Sequence, residues 1–326
     1  MADEKVVVTR RMPPAGVKFL QDEKFSLMVW DKDEPPPRKW LLEKSRGAQA
    51  IFCSLNEKID KTLLNNSPNL KVIAQLAVGY DNIDVEEAMK RGIIVAYTPD
   101  VLSGAVADLT WGLIISVARR IPEADQYVRK GKWKVGFMPV MLTGRNVYGK
   151  TLGVLGMGRI GREVAKRSQG FGMRVIYHNR KPADDPPAGA RYVDFKTLLS
   201  ESDFLVILVR LSADTEGMIG FEEFSRMKKT AYVINASRGK VIRQKDLYRA
   251  LSEGVIAGAG LDVLEDEPVR TDEPLLKLPN IVFTPHIGSD TFETRREMSL
   301  LCAKAIHSVL RLGRIPENSL PKRQKA

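Results

Sequence analysis

The sequence is poor in cysteine and in long apolar runs. Its 326 residues include only Cys53 and Cys302, too few for a disulfide framework, which suits a reducing compartment. A long apolar run such as 204–209 is far shorter than the roughly 18 residues that cross a bilayer. The first five residues lead directly into a short run that resembles a strand, Val6–Val8, and not into the apolar stretch of an export signal, so we expect no export. We therefore expect a soluble, cytoplasmic protein that neither enters nor crosses a membrane.

The charge balance excludes little by itself. The chain has 28% charged and 44% hydrophobic residues, which is ordinary for a globular protein and excludes a disordered chain. The formal net charge of +11 attracts anions of any kind, including phosphorylated cofactors and small carboxylates. Most basic residues are spread along the chain, and one tight cluster, Lys322, Arg323 and Lys325, lies near the C-terminus. We therefore expect a small anionic ligand and no nucleic-acid partner.

Short apolar runs alternate with amphipathic stretches, a pattern typical of βαβ units and parallel sheets. Strand candidates lie at 6–9, 27–30, 50–53, 72–76 and 93–96, and again at 151–155, 175–177, 204–209, 231–235, 257–261 and 281–284. Helix candidates include 38–46, 85–91, 103–121, 245–253 and 291–312. In the second of these, Asp84 is the expected N-cap and Gly92 the expected C-cap, and Pro122 is expected to limit the third.

The alternation begins afresh after a glycine-containing segment, which predicts two domains. The final helix has no predicted strand after it, so we expect it to pack back on the first domain. This assigns residues 1–100 plus 291–326 to a substrate (catalytic) domain and residues 101–290 to a dinucleotide-binding domain. The predicted fold class is α/β, with two doubly wound domains and the active site in the cleft between them, where such sheets bind ligands.

A G-x-G-x-x-G motif lies between the strand candidate at 151–155 and a helix. Gly156 permits a tight turn, Gly158 lets the backbone approach a pyrophosphate, and Gly161 lets the helix pack on the strand. With Arg159 and Ile160, these residues form the predicted phosphate-binding loop, because the N-terminus of a helix offers unpaired N–H groups to an anion.

The end of the next strand indicates which dinucleotide binds. NAD sites usually have an acid there, about 20 residues beyond the glycine loop. This chain has Asn179, Arg180 and Lys181, with no carboxylate until Asp184. Two cations would pair with a 2′-phosphate through charge-assisted hydrogen bonds. We therefore predict NADP(H) as the cofactor.

Only three histidines are available as proton donors. His286 follows the last predicted strand, at the edge where a ligand cleft forms. His178 lies nearer the expected adenosine site, and His307 lies within a predicted amphipathic helix. Because histidine alone has an ordinary pKa near neutrality, His286 is the candidate general acid for reduction of a ketone.

The strand candidates 231–235 and 257–261 are also followed by residues that could take part in the reaction. Arg238 can present its planar guanidinium to a carboxylate or carbonyl oxygen. A carboxylate beside His286 would favour its charged form and orient the ring. The spacing does not choose among Glu265, Asp266 and Glu267.

These motifs together resemble those of the D-isomer-specific 2-hydroxyacid dehydrogenases, and most closely those of the glyoxylate and hydroxypyruvate reductases. The resemblance covers nearly the whole chain and implies two Rossmann-like domains. It is carried by the glycine loop and by the segments 77–84, 97–102, 235–239, 260–268 and 284–288.

The resemblance implies a role for each matched residue. His286 is the general acid and Glu267 its carboxylate partner. Arg238 binds the substrate carboxylate and polarises the carbonyl, and the backbone amides of Val78 and Gly79 also hold the carboxylate. Four further residues are implied at the cofactor: Ala236, Asp262, Gly288 and Arg210, the last unusual for the family.

The implied reaction is hydride transfer from NADPH to a small 2-oxoacid, glyoxylate or hydroxypyruvate, with no metal. The family usually forms homodimers through the coenzyme domain, with the segment 122–149 contributing. One alternative is a reductase of a larger 2-ketoacid or of 2-keto-gluconate. Another is a dinucleotide-sensing corepressor, whose relatives carry longer tails and favour NAD.

Overall fold

The computed structural model describes residues 4–320, so the basic cluster Lys322, Arg323 and Lys325 lies outside the described residues. The chain divides into two compact units. The first contains residues 4–102 and 289–320, and the second contains residues 103–288. These boundaries differ by two residues from the predicted ones at 100 and 290.

The first unit is built on a six-stranded sheet. Its strands are β1 (Lys5–Val8), β2 (Ser26–Val29), β3 (Ala50–Cys53), β4 (Val72–Gln75), β5 (Ile94–Ala96) and the much later β13 (Ser319–Leu320). The order across the sheet is β2-β1-β3-β4-β5-β13, of which the first five strands are parallel. These five follow the flavodoxin-like doubly wound order.

The second unit contains a seven-stranded, wholly parallel sheet. Its strands are β6 (Thr151–Leu155), β7 (Arg174–His178), β8 (Arg191–Tyr192), β9 (Phe204–Ile207), β10 (Tyr232–Asn235), β11 (Gly258–Leu261) and β12 (Ile281–Phe283). The order β8-β7-β6-β9-β10-β11-β12 is the Rossmann order with one strand added. The predicted α/β class with two doubly wound sheets is therefore confirmed.

Eleven α-helices connect these strands within residues 4–320. They are α1 (Pro14–Asp22), α2 (Arg38–Ser45), α3 (Lys61–Asn66), α4 (Val85–Lys90), α5 (Ser103–Arg119), α6 (Ile121–Arg129), α7 (Arg159–Arg167), α8 (Phe195–Glu201), α9 (Phe221–Arg226), α10 (Gln244–Ser252) and α11 (Phe292–Leu310). Asp84 caps α4 by accepting a hydrogen bond from the Glu87 amide, as predicted. None of these helices combines the length and apolar character needed to cross a membrane.

Two sequence-based expectations about elements were wrong, and one strand was missed. The strand β13 follows the final helix and pairs antiparallel with β5, and β8 extends the second sheet; both are two residues long, too short to leave a pattern. Pro122 does not simply end the helix 103–121. It lies in the first turn of α6, where its missing N–H costs no hydrogen bond, and Arg120 at φ 55° separates the two helices.

The second sheet is covered on both faces, as parallel sheets usually are. Along β9, Leu205 and Ile207 join one buried cluster, whereas Phe204 and Val206 join the other. The same alternation occurs in β10 and β6, whose polar residues Asn235 and Thr151 are the last and the first residue of their strands. Polar residues therefore gather where the strands end.

Candidate active site

The predicted catalytic residues follow three neighbouring strands of the second unit. Arg238 follows β10, Glu267 follows β11 and His286 follows β12. Since β10, β11 and β12 are adjacent and parallel, their carboxyl ends lie along the same edge of the sheet. Residues separated by up to 48 positions in the chain are thus presented on one edge.

A direct hydrogen bond joins the predicted acid–base pair. The Nδ1 atom of His286 lies 2.7 Å from Oε2 of Glu267, and each side chain is 32% exposed. The other oxygen, Oε1, accepts a hydrogen bond from the Leu264 amide at 3.1 Å. Of the three acids that the spacing left open, Glu267 is therefore the one placed against the imidazole. This contact fixes the ring orientation and leaves Nε2 as the nitrogen available for proton transfer.

The turn that carries His286 has an unusual backbone. His286 has φ 55°, in the left-handed region that non-glycine residues seldom adopt. Its amide donates to the carbonyl oxygens of Asp262 (2.9 Å) and Thr284 (3.0 Å). Such strain persists where surrounding contacts enforce it, and it concentrates at functional sites.

The carboxylate of Asp262 supplies much of that enforcement. It accepts hydrogen bonds from the Thr284 hydroxyl (2.6 Å), the Ile287 amide (2.8 Å) and the Gly288 amide (2.9 Å). Asp262 is only 2% exposed, and burial raises the pKa of its carboxyl although these donors and the nearby His286 act against the shift. The structure thus shows Asp262 and Gly288 as supports of the turn, and their contact with the cofactor stays a prediction.

Glycine lets the Arg238 loop approach the segment that leads to Glu267. A Cβ atom on Gly239 would lie 1.8 Å from the backbone carbonyl of Leu264, so no larger residue fits without displacement. Asn235 closes the preceding turn: its Nδ2 donates to the Arg238 carbonyl at 3.0 Å, and its Oδ1 accepts from Ser237. Arg238 itself donates from Nη1 to the Ser237 carbonyl at 2.8 Å. Sequence reasoning missed Asn235, although an asparagine at a strand end is a turn signal.

The glycine loop has the geometry that its motif predicts. Gly156 has φ 106°, and a Cβ atom there would lie 2.7 Å from the backbone of Leu208. A Cβ atom on Gly161 would lie 2.3 Å from the Gly156 carbonyl oxygen, whereas one on Gly158 would meet nothing within 4 Å. The loop is therefore closed on the protein side and open at Gly158, where the N-terminus of α7 begins. This arrangement fits a pyrophosphate.

The residues around this loop divide into supports and exposed cations. The partly buried side chain of Ile160 packs against a buried cluster, and Arg159 is exposed. Asn179 accepts a hydrogen bond from the Met157 amide at 2.7 Å and so braces the loop. Lys181 is exposed, and the Arg180 side chain is 92% exposed, 3.8 Å from Asp214.

The other two histidines lie in structural surroundings. His178 ends β7, with Nδ1 2.8 Å from the Val193 carbonyl and its ring stacked on Tyr192. His307 lies on α11, with Nε2 3.3 Å from a Glu23 carboxylate oxygen. In the order of the seven-stranded sheet, β7 is five strands away from β12, which precedes His286, and His307 belongs to the first unit.

The remaining predicted site residues also follow strands. Val78 and Gly79 follow β4 in the first unit and are partly buried, as is Ala236 in the second unit. Arg210 follows β9 and is exposed, and its carbonyl accepts a hydrogen bond from the Thr215 hydroxyl at 2.7 Å. The roles of these residues stay predictions. Within residues 4–320, no three His, Cys, Asp or Glu side chains cluster as metal ligands would.

Comparison with known proteins shows which protein family this chain belongs to. A family model described as "D-isomer specific 2-hydroxyacid dehydrogenase, NAD binding domain" matches residues 111–288. A glyoxylate reductase from Thermococcus litoralis is 51% identical over 324 residues, covering 98% of this chain and 97% of that protein.

Two solved structures agree over nearly the full length. The TT0316 protein from Thermus thermophilus matches with a TM-score of 0.92 and 39% identity, over 97% of this chain and 99% of that one. An NADPH-dependent glyoxylate/hydroxypyruvate reductase from Sinorhizobium meliloti, in complex with NADP and malonate, matches with a TM-score of 0.85 and 30% identity over 100% of both chains. The chain belongs to the D-isomer-specific 2-hydroxyacid dehydrogenase family and is similar to its glyoxylate reductases.

Proposed function

We propose that this enzyme uses NADPH to reduce a small 2-oxoacid, glyoxylate or hydroxypyruvate, to the corresponding 2-hydroxyacid. The observation that carries the proposal is the 2.7 Å hydrogen bond between His286 and Glu267, on the strand edge that also presents Arg238. The similarity to glyoxylate reductases over nearly the whole chain supports the substrate class.

His286 acts as the general acid. Reduction of a carbonyl places negative charge on its oxygen, and a positioned imidazolium gives that oxygen a proton. Glu267 receives the hydrogen bond from Nδ1 and stabilises the positive ring before the proton leaves from Nε2. The Leu264 amide holds the second carboxylate oxygen, so Glu267 remains aimed at the ring.

Arg238 binds the substrate and stabilises the charge that develops on its oxygen. The guanidinium is planar, always charged and able to contact a carboxylate through two N–H groups. Preorganised charge of this kind is usually the largest electrostatic contribution to such a step. The Val78 and Gly79 amides are the proposed second contact for the substrate carboxylate.

The dinucleotide is proposed to be held by the glycine loop, with its pyrophosphate at Gly158 and the first turn of α7. When bound, NADP(H) supplies the hydride for the carbonyl carbon. Arg180 and Lys181 would pair with the 2′-phosphate, because both are exposed cations at the end of β7 where NAD sites usually have an acid. The proposed cofactor contacts of Ala236, Asp262, Gly288 and Arg210 rest on the resemblance alone.

The second unit also exposes an apolar segment. Between residues 121 and 148, large apolar side chains are far more exposed than is usual: Phe137 is 89%, Val140 78% and Tyr148 66% exposed. Exposed apolar surface of this kind is typical of protein interfaces, and we propose that this segment contributes to a homodimer. Sedimentation velocity should give twice the 36.4 kDa chain mass, and Phe137→Asp should shift this mass toward that of the monomer.

The buried, free Cys53 and Cys302 support the proposed cytoplasmic location.

One set of initial rates tests the proposal. NADPH oxidation is followed with glyoxylate, hydroxypyruvate, pyruvate and phenylpyruvate, and each series is repeated with NADH. The proposal expects the highest kcat/KM with NADPH and one of the first two acids. A higher value with phenylpyruvate would indicate a reductase of larger 2-oxoacids, and a preference for NADH would refute the role of Arg180 and Lys181.

A further inference from the structure

A polar network lies beneath the proposed carboxylate-binding turn of the first unit. It involves the residues that follow three neighbouring parallel strands: Arg10 after β1, Ser54 and Glu57 after β3, and Gln75 and Asn82 at and after β4. Ligands of parallel α/β sheets bind outside the carboxyl ends of the strands. The network is therefore at the edge where a substrate of this unit would bind.

Glu57 anchors one end of the network. Its side chain is nearly fully buried, and Oε1 accepts two hydrogen bonds from the Arg10 guanidinium, at 2.7 and 3.1 Å. Its other oxygen accepts from the Ser54 amide (2.7 Å) and hydroxyl (3.2 Å). A buried carboxylate is costly unless it is satisfied in this way, so the loop from Ser54 to Glu57 is fixed in one conformation.

Asn82 connects that loop to β4. Its Nδ2 donates to the carbonyl oxygens of Ser54 (2.9 Å) and Glu57 (2.8 Å), and its Oδ1 accepts from Nε2 of Gln75 at 2.7 Å. Both donor hydrogens and the acceptor of the amide are thus in use. Asn82 is therefore fixed both to the loop that contains Ser54 and Glu57 and to Gln75. Its bond to Gln75 restrains the segment of chain between residues 75 and 82.

Gln75 reaches the turn itself. It is fully buried, and its Nε2 also donates to the Gly79 carbonyl oxygen at 3.3 Å. On the other side, the Thr98 amide donates to the Ala77 carbonyl oxygen at 2.9 Å. Because a trans peptide points its C=O and N–H in opposite directions, this bond turns the Val78 N–H away from Thr98. These bonds hold the Ala77–Val78 and Gly79–Tyr80 peptides, and so restrict from both sides the Val78–Gly79 peptide between them.

We infer that Gln75 and Asn82 are positioning residues, which preset the Val78 and Gly79 amides for the substrate carboxylate. The inference rests on the proposed function, since that function assigns the carboxylate to these amides. A turn that is already ordered loses less conformational entropy when the substrate binds. The network therefore acts on substrate affinity, through the backbone and without touching the substrate.

The test uses Gln75→Met and Asn82→Ala in the full-length enzyme. Each variant should raise KM for glyoxylate by about fivefold or more, since a hydrogen bond to a charged group is weakened. The change in kcat should stay within about twofold, because the loss affects ground state and transition state alike. The NADPH dissociation constant, measured by fluorescence titration, should not change.

Asn66→Ala is the matched control. Asn66 also donates its side-chain amide to a backbone carbonyl of the first unit, that of Leu42, but it lies at the end of α3 and not among the residues of the network. It should leave KM unchanged even where it lowers the melting temperature as much as the test variants do. The double variant of Gln75 and Asn82 should raise KM little more than the stronger single variant, because both belong to one chain of contacts.

The outcomes separate two failures. If the wild-type enzyme reduces neither glyoxylate nor hydroxypyruvate, the proposed function is wrong. If the wild type is active and both variants keep its KM, or if Asn66→Ala raises KM equally, the inference about positioning is wrong. If either variant folds too poorly to assay, Asn82→Ser replaces it. Its short polar side chain cannot reach both carbonyl oxygens, so it should raise KM for glyoxylate, and an unchanged KM would again contradict the inference.

Discussion

Replacing Glu267 with glutamine should slow turnover without dismantling the site. The variant keeps the size of the side chain and can still accept from Nδ1 of His286, but it removes the negative charge that lies 2.7 Å from that atom. Two unit charges about 4 Å apart at an effective dielectric of 20 interact by about 4 kcal/mol. Both side chains are 32% exposed, so screening reduces this to about 1–2 kcal/mol. Since each 1.36 kcal/mol corresponds to about tenfold in rate, kcat should fall by about 5- to 30-fold.

The assay is the steady-state rate of NADPH oxidation with saturating glyoxylate. Glu265→Gln is the matched control: it removes an exposed acid two residues away whose amide donates to Gln244. Equal losses in the two variants would refute the pairing as the source of the effect.

Three further changes should have distinct results. Arg238→Lys should raise KM and lower kcat, together about 100-fold in kcat/KM, because an ammonium lacks the planar fork; an unchanged KM would argue against carboxylate binding. Arg180→Asp should shift the NADPH-to-NADH ratio of kcat/KM toward NADH by about tenfold or more, and an unaltered ratio would exclude Arg180 from the phosphate site. Asp203→Asn should lower the free energy of unfolding by about 1 kcal/mol at neutral pH. Burial alone would raise the pKa of the Asp203 carboxyl, but hydrogen bonds from Lys228 and the Thr151 amide hold this pKa below its usual value. That stabilisation is present above the ordinary pKa of about 3.9 and is lost as the pH falls through the lowered value, so urea titrations of the two proteins should converge at low pH; a constant difference would contradict the linkage.

The elements that the sequence predicted are those whose signals are local. Parallel strands buried on both faces appear as short apolar runs, and 204–209 became β9 with only its last two residues outside the strand. Asp84 and Thr291 cap their helices through bonds to residues three positions along. The turn at Gly156 likewise depends on a backbone conformation that glycine adopts readily.

Other features could not be predicted because they have no local signal. The helix break at Arg120 depends on the left-handed conformation of one residue, while the surrounding pattern stays helical. The two-residue strands β8 and β13 exist only because a neighbouring strand offers hydrogen bonds. The engagement of the Asp262 carboxylate with Ile287 and Gly288 joins residues about 25 positions apart.

The sequence by itself determined which chemical groups are available and that they follow strands: one imidazole at 286, one guanidinium at 238 and three neighbouring acids. Folding decided which acid is used. Whether Glu265, Asp266 or Glu267 reaches His286 depends on the order and register of β11 and β12 and on the close approach at Gly239, none of which the spacing along the chain contains. The spacing along the chain shows which acids could lie near His286, but it does not show which one forms the hydrogen bond. A shift of one residue along a strand moves a side chain by more than the length of a hydrogen bond, so the register of the folded sheet makes that choice.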